Sequence, residues 1–161
     1  MANLILWRHA EAEDLSLTGA DSDRALTKRG RKDAAKMAKW LHQHLPANTE
    51  VLSSPARRCQ ETVAALQQLN HREHPLKFKV AEFLGVDSTV EIIAKKVMNN
   101  DSSKTLLLVG HQPNLGLFIA KLLGMNEHAC AVKKGAVWWL RQRQVDGGMQ
   151  IYLFTVQHPD Y

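Results

Sequence analysis

Cysteine is nearly absent from this 161-residue chain, and the two present, Cys59 and Cys130, form no spaced framework. A disulfide scaffold is excluded, and free thiols in a reducing compartment are expected. No run of about 20 apolar residues occurs, so no helical membrane span and no membrane partner are expected. The opening, MANLILWRHA, lacks a basic leader and a small-residue cleavage site, which points to a cytoplasmic protein. Internal repeats, low-complexity tracts and linkers are also missing. One domain over residues 1–161 follows, and 45% apolar content suffices to fill one core. No GxxxxGK loop is present, so any phosphate chemistry must rest on side chains.

Acidic residues are outnumbered, 16 against 21 basic ones, for a formal net charge of +5. The excess is local. Lys28, Lys32, Lys36 and Lys39 recur at helical spacing opposite Ala34, Met37, Ala38, Leu41 and Leu45, the signature of a solvated helix face. Aromatic residues do not interleave with these cations, and no nucleic-acid-binding motif occurs, so a nucleic-acid partner is not expected. Eight histidines invite a metal reading. His42 and His44, two apart on a helix, point to different faces. His71 and His74 lie in a polar stretch without ligands at suitable spacing. Neither metal nor cofactor is expected.

Leu4–Trp7 is a short apolar run that stops at charged residues, as a buried strand does. A polar loop reaches Arg24, Thr27 caps a helix to about Leu45, and Pro46 ends it. Glu50–Ser53 reads as a strand, followed by a helix with Pro55 in its first turn that runs to about Leu69. Between Pro75 and Asp87 strand and loop compete, with Phe78–Phe83 as an extended segment. Ser88 or Thr89 starts a helix holding Ile92, Ile93, Lys96 and Val97. Thr105–Val109 is the clearest buried strand, and Pro113 opens a helix stopped by Gly124. Two strands, Ala136–Leu140 and Gln150–Val156, join through Asp146-Gly147-Gly148. In this arrangement Trp138 and Trp139 face opposite ways, one to the core and one to a surface. The alternation predicts a three-layer α/β/α sandwich, with a mainly parallel central sheet and a C-terminal antiparallel hairpin.

Three groups then share one kind of place. Arg8 and His9 follow the first strand, Arg57 and Arg58 open the helix after the second, and His111 follows the strand ending at Val109. In open α/β sheets, ligands bind outside the carboxyl ends of the strands. A guanidinium fork matches a phosphate dianion. A neutral imidazole can attack phosphorus and carry the phosphoryl group. A second imidazole, once protonated, stabilises charge in transit.

These residues also carry a resemblance. LWRHAEAE resembles the strand-plus-Arg-His signature of the histidine phosphatase superfamily. SSPARRCQET is similar to its second motif, and VGHQPNLG to its third. The order, the contexts and the length resemble the short, SixA-type phosphohistidine phosphatases over nearly the whole chain. The resemblance implies a phosphoglycerate mutase-like fold, with His9 as nucleophile and Arg8, Arg58 and His111 around the phosphate. The second motif places its arginine four positions after Ser54, which selects Arg58 over Arg57. DSDRALTKRG is similar to the segment supplying a further pocket arginine, here Arg24, for which pairing with Asp21 or Asp23 is the plain alternative. Glu82 matches the position of a proton-donating acid in larger members, and a phosphohistidine enzyme can dispense with it. Ala10 stands where the family usually has glycine. Cys59, beside Arg58, reads as structural.

The implied enzyme is a monomer that needs no cofactor and removes phosphate from phosphohistidine on a signalling or phosphotransfer protein. The short loops imply a shallow, open site. The rivals are a phosphatase or mutase on small phosphate esters, and a non-catalytic phosphate-binding module.

Overall fold

The computed structural model describes residues 3–71, 73, 75–98, 103–126, 128 and 130–161. His74 lies outside them. The six strands are β1 (Asn3–Arg8), β2 (Thr49–Ser53), β3 (Lys77–Val80), β4 (Thr105–Gly110), β5 (Val137–Val145) and β6 (Gly148–Gln157). They form one sheet in the order β3-β2-β4-β1-β5-β6. The first four run parallel, β5 pairs antiparallel to β1, and β6 antiparallel to β5. Central β4 is buried at all six positions, which is why TLLLVG reads as an unbroken apolar run.

Alternate strand residues feed two cores. On one face Ile5, Trp7, Val51, Leu107 and Val109 pack against α1 (Lys28–His44) and α2 (Arg57–Gln67) through Met37, Leu41, Val63 and Leu66. On the other, Leu6, Leu52, Leu106 and Leu108 meet α3 (Val90–Met98) and α4 (Asn114–Leu122) through Ile93, Val97, Phe118 and Ile119. This is the expected three-layer α/β/α sandwich. The four lysines of α1 are exposed while Ala34, Met37, Ala38 and Leu41 are buried. Thr27 caps α1 by accepting the Gly30 N–H at 2.9 Å. No helix of the described residues is long and apolar enough to cross a membrane.

Several boundaries differ from the sequence expectation. Helix α2 begins at Arg57 and ends at Gln67; Pro55 precedes its N-cap, Ala56, and belongs to the turn. Asn114 opens α4, with Pro113 as the N-cap. The ambiguous segment divides into strand β3 and a 3-10 turn at Glu82–Leu84. Edge strand β3 is mostly exposed, so its apolar signal is weak. Strands β5 and β6 outrun the apolar pattern, because their outer part leaves the core: residues 143–150 are all exposed. Their turn uses Gly147 at φ 93°. Trp139 is buried and meets Trp40 edge-on at 6.0 Å between ring centroids. Trp138 is half-buried against the second core and not a free surface residue.

Candidate active site

Register brings the motifs together. Ser53 of β2 and Trp7 of β1 both pair with Val109 of β4, and Arg8 pairs with Gly110. The residues that follow these positions, Ser54, His9 and His111, therefore leave three adjacent strands at one level. Backbone bonds lock the row: the His9 N–H reaches Gly110 O at 3.1 Å, and the Ser54 N–H reaches Val109 O at 2.9 Å. The crevice beyond these carboxyl ends is where the fold class places its ligands.

His9 and His111 lie ring to ring, 5.3 Å apart at 61°. His9 Nδ1 sits 2.8 Å from the carbonyl oxygen of Ala10. A carbonyl only accepts, so Nδ1 carries the hydrogen and Nε2 keeps its lone pair. His111 Nδ1 lies 3.4 Å from Arg58 Nη2, which only donates. Its Nε2 therefore bears the hydrogen and donates to Ser54 Oγ at 2.8 Å. Burial, opposed by the Ala10 bond and reinforced by His111, Arg58 and Arg8, pushes His9 down to about 3. Burial and then the Arg58 charge push His111 down to about 4. Both values leave the imidazoles neutral at pH 7.

Arg58 is 2% exposed, and its guanidinium holds Asp21 through the carbonyl oxygen at 2.9 Å and the carboxylate at 3.1 Å. Arg24 donates to the same carboxylate at 3.0 Å and to Glu13 O at 2.9 Å. Burial raises the Asp21 pKa, but the two arginines prevail and hold it below its ordinary value. Asp21 thus bridges both expected phosphate-binding arginines, and Arg24 makes the Asp21 pairing anticipated as its alternative. Arg8 donates to Val132 O at 3.0 Å. The buried Nε atoms of Arg8 and Arg58 have no hydrogen-bond partner. Buried donors are nearly always satisfied, so such orphans beside one crevice mark capacity for an oxyanion. Arg57 stays outside, exposed and paired with Glu61 at 3.0 Å and Asp23 at 3.5 Å.

Glu82 is exposed on the wall of a groove beside the cluster, shared with Ser54 and Asp21, and is not among the buried side chains. Ala10 fits without backbone strain, since every positive φ among the described residues belongs to glycine. It is fully buried, and its N–H donates to Thr62 Oγ1 at 3.1 Å. Burial drives the Cys59 thiol up to about 12, consistent with a structural role. The site is less shallow than the short loops imply: His9, Arg58 and His111 are each at most 7% exposed. Ser54 and Thr62 were not singled out as site residues in the sequence, and Asp21 only as a pairing partner for Arg24. Ser54 and Thr62 stand inside the second motif, but their contacts cross from α2 and its preceding turn to other elements. Asp21 lies within the quoted DSDRALTKRG segment.

The description of branch 1 of the histidine phosphatase superfamily matches residues 4–85. A Haemophilus influenzae protein described as a phosphohistidine phosphatase SixA homolog is 31% identical over 131 residues, covering 76% of this chain and 77% of the relative. The protein histidine phosphatase SixA complexed with tungstate has the same fold, with a TM-score of 0.81 at 21% identity over 98% of this chain and 97% of that one. The mycobacterial glucosyl-3-phosphoglycerate phosphatase complexed with VO3 follows at 0.69 and 16% identity, over 95% and 97%. Half of the chain matched by the family description, with so long a similarity to the Haemophilus protein, decides the family: the chain belongs to the histidine phosphatase superfamily, branch 1, alongside its SixA-type members.

Proposed function

We propose that this phosphatase removes the phosphoryl group from phosphohistidine on a protein, through a covalent intermediate on His9. The carrying observation is the pair of neutral imidazoles beside buried guanidiniums whose Nε donors lack partners. Nε2 of His9 attacks phosphorus, and the P–N bond to the substrate imidazole breaks with its electron pair leaving on that ring, which already carries a proton. Positive charge developing on His9 is shared with the Ala10 carbonyl through Nδ1–H. Arg8, Arg58 and Arg24 neutralise the phosphoryl oxygens. The negative charge of those oxygens offsets the repulsion that keeps His111 singly protonated, so His111 takes its second proton, on Nδ1, only with substrate present. Water then attacks phospho-His9, releasing phosphate and restoring Nε2. No step requires a metal or organic cofactor.

Quenching the enzyme during turnover of a phosphorus-labelled phosphohistidine peptide should trap acid-labile, base-stable label on His9. The folded His9→Ala protein should carry none, and label retained there would overturn the assignment. The structural neighbour described as a glucosyl-3-phosphoglycerate phosphatase keeps a small phosphate ester as the second reading. Glu82 separates the two. An alkoxide must be protonated as it leaves, a contribution of about a hundredfold to ten-thousandfold, whereas a protonated imidazole needs little help. Glu82→Gln should therefore lower kcat/KM on a monoester far more than on phosphohistidine. An equal fall on both substrates would remove this support.

A further inference from the structure

A groove of about 870 Å³ opens beside the buried cluster, running from the Ser54 turn and Asp21 to the start of α3. Ser54 belongs to its wall and bonds His111, so the groove adjoins the cluster. The groove is amphipathic. Phe83, Val86 and Ile92 supply apolar surface, and the last two are each 46% exposed. Adjoining exposed apolar residues of this kind mark interaction sites more often than scattered single ones. Among the described residues its charged lining consists of Asp21, Glu82 and Asp87, without one lysine or arginine, in a chain whose net charge is +5. Asp21 is neutralised by its two arginines, which leaves Glu82 and Asp87 to set the potential. Ser88 also lines the groove, and its hydroxyl is buried without a partner.

We propose that this groove binds the stretch of substrate protein beside its phosphohistidine, and that it selects a stretch carrying basic and apolar side chains. The inference rests on the phosphohistidine reading above. The phosphoryl group enters the positive cluster, while the flanking chain meets a negative, partly apolar wall a few residues away. An anionic leaving group is repelled there; lysine or arginine beside leucine or valine fits both the charge and the surface.

The test uses two phosphohistidine peptides of equal length, one flanked by lysine and leucine, the other by aspartate and serine, together with free phosphohistidine. The parent enzyme should favour the basic peptide by about tenfold in kcat/KM at low salt, and less at high salt. Asp87→Lys should abolish that preference while free phosphohistidine turns over at the parental rate. Ile92→Ser should weaken the basic peptide alone. Equal turnover of both peptides by the parent, or an equal loss on free phosphohistidine in Asp87→Lys, overturns the groove assignment and leaves the phosphatase reading intact. Failure on every phosphohistidine substrate, with turnover of a phosphate monoester, overturns that reading and the inference with it.

Discussion

Arg57 and Arg58 are neighbours in sequence and opposites in environment. Arg58 points inward, 2% exposed, against His111 and Asp21, whereas the Arg57 side chain is 47% exposed and paired with surface carboxylates. Their substitutions should separate accordingly. Removing a charge-assisted donor from a developing phosphoryl charge costs about 3 kcal/mol, roughly a hundredfold in rate. An exposed ion-paired arginine contributes little to stability and nothing to the chemistry. Steady-state kinetics on folded Arg58→Ala and Arg57→Ala should show a loss of about a hundredfold for the first and under threefold for the second. Matching losses would mean that both guanidiniums serve the substrate. The distinction between these two arginines was legible only through motif spacing, because composition treats them alike. Asp21 is the reverse case: nothing in its local sequence announces that one exposed carboxylate spans two arginines.

At the scale of elements, the loop carrying His9 is held in place by α1 and α2. The Glu11 carbonyl accepts the Thr27 N–H at 3.0 Å, and the Glu11 carboxylate accepts the Thr27 hydroxyl at 2.8 Å. Thr62 on α2 accepts the Ala10 N–H and donates to the Arg58 carbonyl at 2.7 Å, joining the His9 loop to the arginine helix. Gly30 lets α1 approach this closely, since a Cβ there would collide with the Glu11 carbonyl. Gly30→Ala should therefore be destabilising, although alanine is the better helix former by about 1 kcal/mol. Overpacking costs typically about 1–3 kcal/mol, so the propensity gain is outweighed. Thermal denaturation should show a lower midpoint, and kcat should fall because His9 rides on the displaced loop. A midpoint at or above the parent's would show that the loop yields without cost. Strand and helix existence was readable from apolar periodicity. Boundaries failed at α2, which is shorter than expected at both ends, and along the terminal hairpin, where exposed backbone pairing carries the strands past the reach of the core.

For the whole molecule, two neutral histidines in the crevice tie stability to pH. Both folded pKa values, about 3 and about 4, lie below the ordinary 6.5. Below about pH 6.5 the unfolded chain takes up protons that the folded chain refuses. Stability is therefore complete above that pH and is lost as pH falls towards 4 and 3. At pH 5 each group costs up to about 2 kcal/mol, less where water reaches the ring. Urea midpoints should fall between pH 7 and pH 5, with a shallower slope in His9→Ala. Parallel slopes in the two proteins would indicate that His9 is not a buried neutral base. The sequence by itself determined the layered α/β architecture and the identity of His9, Arg8, Arg58 and His111 as candidates, because periodicity and motif order are local properties. Only the tertiary structure decided that Asp21 bridges the arginines, that both imidazoles stay neutral, and that the adjoining groove is acidic. Each of these depends on burial and on contacts between residues far apart in the chain, which register and packing create and no local pattern encodes.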